Sequence, residues 1–452
     1  MLLLDNITET PQIIRSQVGY RKNMAIPKTN NNAPGNNRFG LLDYIKITLI
    51  GFSFTALWSS LHGIILPMRL LAYVPETQKN TYLGLLTFTG LLLAIIVQPM
   101  AGAFSDATNS RWGRRRPYIL WGTILALILL PGIGLATTYV TVLIVYCLIQ
   151  VCTNTAQASY QAFIPELVPE KSRGVASGVK SLLEVLGGVI LVRITAYFMG
   201  HYSTDVGESW MWIALGALGV VLFTALIITM VVVKESPSNN YTRLSLSTFY
   251  RIFKIDFKVH RDFGWFLIAR ALLGIPGVVL QIFAIYFLMD VIGIPNPASA
   301  AGDLLVVVGV CLIAMVYPAG RLSDRVGRKP IIIIASILGA IGTIVLFFSR
   351  NYIQVMVAGG ILGIANGALL SASWALATDL AIKGEEARYL GVTNLAMAGG
   401  SALARLIGPV IDFFNGISTN SGYKVMLLIC FLSFIAGALF IAKIKQIKAI
   451  PK

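Results

Sequence analysis

Residues Gly102–Pro117 read GAFSDATNSRWGRRRP, and residues Gly320–Pro330 read GRLSDRVGRKP. The same charged phrase, here called a knot, stands twice in the chain, its aspartates Asp106 and Asp324 lying 218 positions apart. Each knot separates two apolar runs of about 20 residues, long enough to cross a bilayer as a helix. Backbone polar groups in hydrocarbon must be satisfied within the segment, so runs of this length read as helices. The short alternating segments of a membrane β-barrel are absent. Composition agrees: 56% of the 452 residues are hydrophobic and 12% charged, against about a quarter charged in a soluble domain. The sequence predicts an all-α polytopic membrane protein.

Counting outward from the knots gives twelve helices, helix one at 44–73 and helix eight at 302–319, for example. The predicted organisation is a mobile tail at 1–42, six helices at 43–234, a central loop at 235–262, six helices at 263–443 and a tail at 444–452. The Asn- and Pro-rich stretch IPKTNNNAPGNNR, within 1–42, reads as mobile chain. MLLLDNITET has too short an apolar run and no preceding basic region for a cleavable signal, so the first spanning helix is expected to direct insertion. The four cysteines, Cys147, Cys152, Cys311 and Cys430, lie in apolar runs without paired spacing and read as small core residues.

An even number of spans puts both termini on one side. With the N-terminus inside, 27 of the 36 Lys and Arg fall on inward segments, against three (Lys79, Arg350, Lys424) in outward loops. That bias places both termini and both knots in the cytoplasm. The net charge of +16 is then topology and attraction to anionic lipid head groups, with no call for nucleic acid. The expected location is the cell membrane.

The two sets of six helices repeat one another. Asp43 matches Asp262 and His62 matches Gln281 at an offset of 219, and GGVILVR (Gly187–Arg193) matches GGSALAR (Gly399–Arg405) at 212. Equal sidedness makes the repeat parallel, with a pseudo-twofold axis along the membrane normal and a substrate site between the halves near mid-depth.

This arrangement resembles the major facilitator superfamily, whose signature is G-x-x-x-D-x-x-G-R-R/K after helices two and eight. Gly320, Asp324, Gly327, Arg328 and Lys329 fit it position by position. The first copy, with Gly102, Asp106, Arg111, Gly113, Arg114 and Arg115, has seven positions from Asp106 to Gly113 instead of three. Its longer form, D-x-x-x-S-R-x-G-R-R-R-P, is similar to the sucrose/proton symporters and their glycoside–pentoside–hexuronide relatives. PEKSRG (Pro169–Gly174) is also similar to a facilitator loop. The resemblance implies two pseudo-symmetric six-helix bundles and transport by alternating access. The knots are expected to act as gates: a glycine permits close helix approach, and a charged latch holds the halves together in one state and releases them in the other.

Candidate site residues follow from spacing. Gln150, Asn154, Gln157 and Gln161 share one face of helix four. An amide face suits either interhelical hydrogen bonds or sugar hydroxyls, and Asn154 and Gln157 lie nearest mid-depth. Trp58 and His62 on helix one, Gln281 on helix seven, and Asn366 and Trp374 on helix ten complete the expected pocket. Glu184 lies at the centre of helix five with Lys180 one turn away. An ionisable pair at that depth is the candidate for proton coupling, with His62 next. Arg193 and Arg405 read as half-packing or snorkelling groups, and Asp290, Asp303 and Asp412 as solvated helix ends.

No G-x-x-x-x-G-K-[ST] loop is present to bind nucleotide, and no metal cluster or nucleophile–base pair points to an enzyme or a cofactor. The expectation is a monomeric secondary transporter that carries a sugar with a proton. Two alternatives remain: proton-antiport efflux of an amphipathic compound, and a non-transporting sensor on the same scaffold.

Overall fold

The computed structural model describes residues 40–202, 207–233, 235, 260–382 and 385–445. Most of the expected tails, 1–42 and 444–452, and most of the central segment 235–262 lie outside the described residues.

Twelve helices among the described residues are long and apolar enough to cross a membrane: α1 (Leu41–Leu70), α2 (Glu76–Ala107), α3 (Arg116–Leu135), α4 (Tyr139–Leu167), α5 (Arg173–Met199), α6 (Glu208–Val232), α7 (Arg261–Ile292), α8 (Pro297–Val326), α9 (Arg328–Phe348), α10 (Tyr352–Leu380), α11 (Arg388–Ile417) and α12 (Ser421–Ala442). Polar residues just outside the apolar runs start several of them. Thr138 and Thr141 form a reciprocal cap on α4, and the Asn351 side chain accepts from the Gln354 backbone N–H at the start of α10. His62 stands in a single π-helical turn, Leu61–Ile65, inside α1.

The first half of each knot is helical. Pro99 and Pro318 lie inside α2 and α8, and both helices continue past them to Ala107 and Val326. Helix eight therefore starts five residues earlier and ends seven later than the expected 302–319. Charged side chains do not break a helix that has left the hydrocarbon. Gly327, at φ +105°, ends α8, and Arg328 begins α9 with Pro330 in its first turn. Gly113, at φ +95°, makes the matching turn before α3, which starts at Arg116 and Pro117.

Packing repeats the sequence symmetry. In the first half α1 packs on α5 and α6, α4 on α2 and α3, and α3 on α6. In the second, α7 packs on α11 and α12, α10 on α8 and α9, and α9 on α12. The halves meet where α2 lies along α11, α5 along α8, and the end of α1 against α7. Exchanging the halves maps the first contact onto the second, as a twofold axis requires.

Candidate functional site

A cavity of about 390 Å³ opens between the halves, walled by α1, α5, α7, α8 and α10. Its polar side chains are Thr55, Ser59, Gln281 and Asn366; the rest of the wall is apolar, with Leu304, Leu305, Val308 and Leu312 presented by α8. Asn366 donates its amide to the Leu362 carbonyl at 2.9 Å, which leaves its oxygen toward Gly277 and the cavity. Gln281 and Asn366 thus lie where the sequence placed them. Trp58, His62, Asn154, Gln157 and Trp374 do not line this cavity. Thr55 and the α8 wall were missed, although 304, 308 and 312 repeat at helical spacing.

The amide face of α4 belongs to a second, connected arrangement. The Tyr146 hydroxyl lies 2.8 Å from His62 Nε2 and accepts from Gln150 Nε2 at 2.7 Å. Asn154 donates to Gln150 Oε1 and accepts from Gln98 Nε2, each at 2.7 Å. Trp58 stacks on His62 with ring centroids 5.3 Å apart. Asn154 is buried and both ends of its amide are engaged, so it ties α4 to α2. Gln157 is half-buried and Gln161 exposed. Tyr146, absent from the expected site, continues the same face one turn earlier.

Glu184 and Lys180 form the expected pair, 3.7 Å apart and each about one quarter exposed. Lys180 Nζ also lies 5.3 Å above the Tyr160 ring. Gly51 of α1 makes room for this group: a β-carbon there would stand 2.8 Å from Glu184 Oε1 and closer still to the Tyr160 hydroxyl. The Tyr160 hydroxyl hydrogen-bonds the same carboxylate, so Glu184 has one cation and one hydroxyl as partners.

The knots depart from the expected latch. Arg115 pairs with Asp106 and with Glu166, and Arg114 reaches Glu166 at 2.7 Å. Arg328 pairs with Asp324 and reaches Asp379 at 3.3 Å. Each set binds the end of α2 or α8 to the end of α4 or α10 within one half, so these bonds do not clasp the halves together. Lys329 donates to the carbonyls of Ala442 and Ile444 at the end of α12, where the helix dipole favours a cation. Glu235 accepts from the backbone N–H groups of Arg115 and Arg116, and burial raises its carboxyl above the ordinary range despite them. Arg111 is exposed. Gly102 needs no close approach, since a β-carbon there would meet nothing within 4 Å; at Gly320 it would meet Ser371 Oγ at 2.8 Å.

The charges that do join the halves lie at the opposite end. Lys79, 3% exposed, pairs with Asp290 at 2.7 Å. Asn80 and the Thr81 backbone N–H donate to Asp412 at 2.8 and 2.6 Å. Arg193 pairs with Asp303 at 2.7 Å, and the Tyr286 hydroxyl donates to the Pro67 carbonyl at 2.9 Å. Gly84 and Gly408 let α2 and α11 touch backbone to backbone. This corrects the reading of the three aspartates as solvated helix ends and agrees with the half-packing reading of Arg193. Asp290, Asp303 and Asp412 are bonded across the interface, and Arg193 pairs with an acid of the other half. Their partners come from helices that only the fold brings together.

Over residues 73–442 the chain matches the family model described as MFS/sugar transport protein. It is 24% identical over 368 residues to a lactose permease of Lactobacillus helveticus, an alignment covering 76% of this chain and 56% of that protein. To a lactose permease of Leuconostoc lactis it is 23% identical over 313 residues, covering 64% and 48%. The chain thus spans about half the length of these curated relatives. Among solved structures, a D-xylose-proton symporter superposes with a TM-score of 0.70 at 18% identity, covering 90% of this chain and 99% of that one. At that identity the likeness is one of fold.

Proposed function

The chain belongs to the MFS/sugar transport protein family, and on that premise we propose that it carries a sugar across the membrane by alternating access, in symport with a proton. The observation that supports this reading most is an asymmetry. Cross-half bonds seal the end opposite the knots, while among the described residues the knots bind within their own halves. A cavity between halves so arranged opens toward one side at a time. The excess of Lys and Arg on knot-side segments supports a cytoplasmic knot side, and with it an inward-facing state and cytoplasmic termini.

In this mechanism Gln281 and Asn366 hydrogen-bond solute hydroxyls, with Thr55 and Ser59 opposite. Glu184 carries the proton. Paired with Lys180 it is ionised; loss of that partner, or a drier environment, favours protonation and couples it to the movement of the halves. His62 supports Tyr146, and Trp58 packs on it. Anionic lipids at the cytoplasmic face complement the basic segments, and one chain holds the whole cavity, in keeping with a monomer. The largely apolar wall favours a second reading, efflux of an amphipathic compound.

Uptake by proteoliposomes decides between them. A panel of labelled hexoses, pentoses and disaccharides is offered with and without an inward proton gradient. The symport reading expects gradient-driven accumulation of at least one sugar. It also expects Glu184→Gln to abolish that accumulation while keeping exchange at equal concentrations. Absence of sugar movement, with gradient-driven export of an apolar dye, favours efflux. Full accumulation by a folded Glu184→Gln protein removes Glu184 from the coupling step.

A further inference from the structure

When the knot end closes, the side chains just beyond the cavity on its knot side must form a floor. On α5, Gly188 and Val192 line the cavity, and Glu184 stands one turn nearer the knots on the same face. On α7, Gly277 and Gln281 line it, and Arg270 stands two turns nearer on the same face. On α10, Asn366 and Leu370 line it, and Trp374 follows one turn nearer. Glu184 lies 11 residues from the knot-side end of α5 (184 − 173) and Arg270 nine from that of α7 (270 − 261). These are depths of about 17 and 14 Å. An acid of one half and a cation of the other thus share a level below the cavity.

The cation has no acid of its own. Arg270 is 7% exposed, its Nη2 donates to Met397 Sδ at 3.1 Å, a weak acceptor, and its guanidinium lies 5.4 Å from the Trp374 ring centroid. Its Nε is buried without a partner, and among the described residues no charged group acts on it. Gly274, between Arg270 and the cavity, faces open space: a β-carbon there would meet nothing within 4 Å. Glu184 has Lys180 at 3.7 Å, long for a hydrogen bond, and the Tyr160 hydroxyl, which leaves acceptor capacity for a third donor. Arg405 also has a buried Nε without a partner, but it lies 17 residues into α11 (405 − 388), where Gly84 already brings α2 against its backbone.

The internal repeat shows the two charges to be complementary. At the offset of 219, Arg270 corresponds to Gly51, the residue that makes room for Glu184. At the offset of 212, Glu184 corresponds to Ala396. The first half has kept the acid and the second the cation.

We infer that Arg270 is the counter-ion Glu184 takes when the knot end closes, so that the two form an inner gate across the halves. This rests on the alternating-access and proton-symport reading above. A guanidinium offers two parallel N–H donors to a carboxylate, and the thioether contact it gives up is weak. The pair requires an ionised Glu184. The empty carrier therefore closes its knot end only after the proton has left, and a proton arriving from the other side frees Arg270 and opens that end. Among the described residues the titratable groups facing Glu184 are Lys180 on its own helix and Tyr160 on α4, and none faces Arg270.

The test needs no sugar. Spin labels at Asn109 and Val326 report the knot-end distance in proteoliposomes at about pH 8 and about pH 5, on the ionised side of a free glutamate and near its titration. The wild type should show more of the short, closed population at the higher pH. Arg270→Gln and Glu184→Gln should each lower the closed-to-open ratio there about tenfold and remove the pH response. The double variant should lose no more than either single one, and Arg270→Lys should keep most of the closed population. Wild-type distances in Arg270→Gln overturn the gate, and so does a pH response that persists in it, which would belong to the knot carboxylates. Losses that add in the double variant overturn it too. If Arg270→Gln does not fold, a wild-type closed population in Glu184→Gln is enough to do so. A wild-type distance that answers to a transported sugar but not to pH overturns the gate and leaves alternating access standing. One that answers to neither overturns alternating access itself.

Discussion

Gly113 sits at φ +95° with the Glu235 side chain where its own β-carbon would stand. Any other residue would be strained twice, by the left-handed backbone and by the collision. Gly113→Ala should therefore lower the unfolding temperature in detergent, losing on the order of 1–3 kcal/mol. Gly102→Ala, with nothing within 4 Å of the added carbon, should leave it nearly unchanged. Equal midpoints for the two variants would contradict this account of the turn. The pair also shows what a motif discloses. Both glycines were legible as motif positions, but Glu235 lies far along the chain and the fold alone brings it to Gly113. Asn154 teaches the same lesson. Its helical face was readable from spacing, whereas its commitment to Gln98 depended on how α2 meets α4. Gln281 was legible as a polar residue in an apolar run, and it does line the cavity.

The two knots act on helix ends. Arg115 is buried between Asp106 and Glu166, and Glu166 also receives Arg114. Removing the acid that serves two arginines leaves more charge unpaired than removing the one that serves a single arginine. Glu166→Gln should therefore slow sugar exchange and lower thermal stability more than Asp106→Asn, with Glu166→Gln on the order of 3 kcal/mol. If the order were reversed, Asp106 would be the anchor. Spacing identified the twelve helices because lipid demands long apolar runs. It misjudged where α8 ends because charge was taken as the end of a helix, when it marked only the end of the hydrocarbon. It missed Glu166 and Asp379, which join Asp106 and Asp324 on the knot arginines, because such a carboxylate carries no local signal of which arginine it will meet.

At the scale of the molecule, two repeated halves surround one cavity, and cation–carboxylate pairs across the interface close one end of it. The halves and their symmetry could be read from offsets in the sequence; the seal could not, since Lys79 and Asp290 stand 211 residues apart. The central claim is that this seal opens as the knot end closes, with the solute between. Distances between paired spin labels measure this most directly. One pair is placed at Glu76 and Thr419 across the sealed end, the other at Asn109 and Val326 across the knot end, in proteoliposomes with and without the transported sugar. The account predicts reciprocal change: under turnover, the first distance gains a longer population while the second gains a shorter one. Asp290→Asn, which removes the Lys79 partner, should enlarge both new populations without sugar. Two distances that stay fixed with sugar, or that lengthen together, would contradict alternating access in this protein.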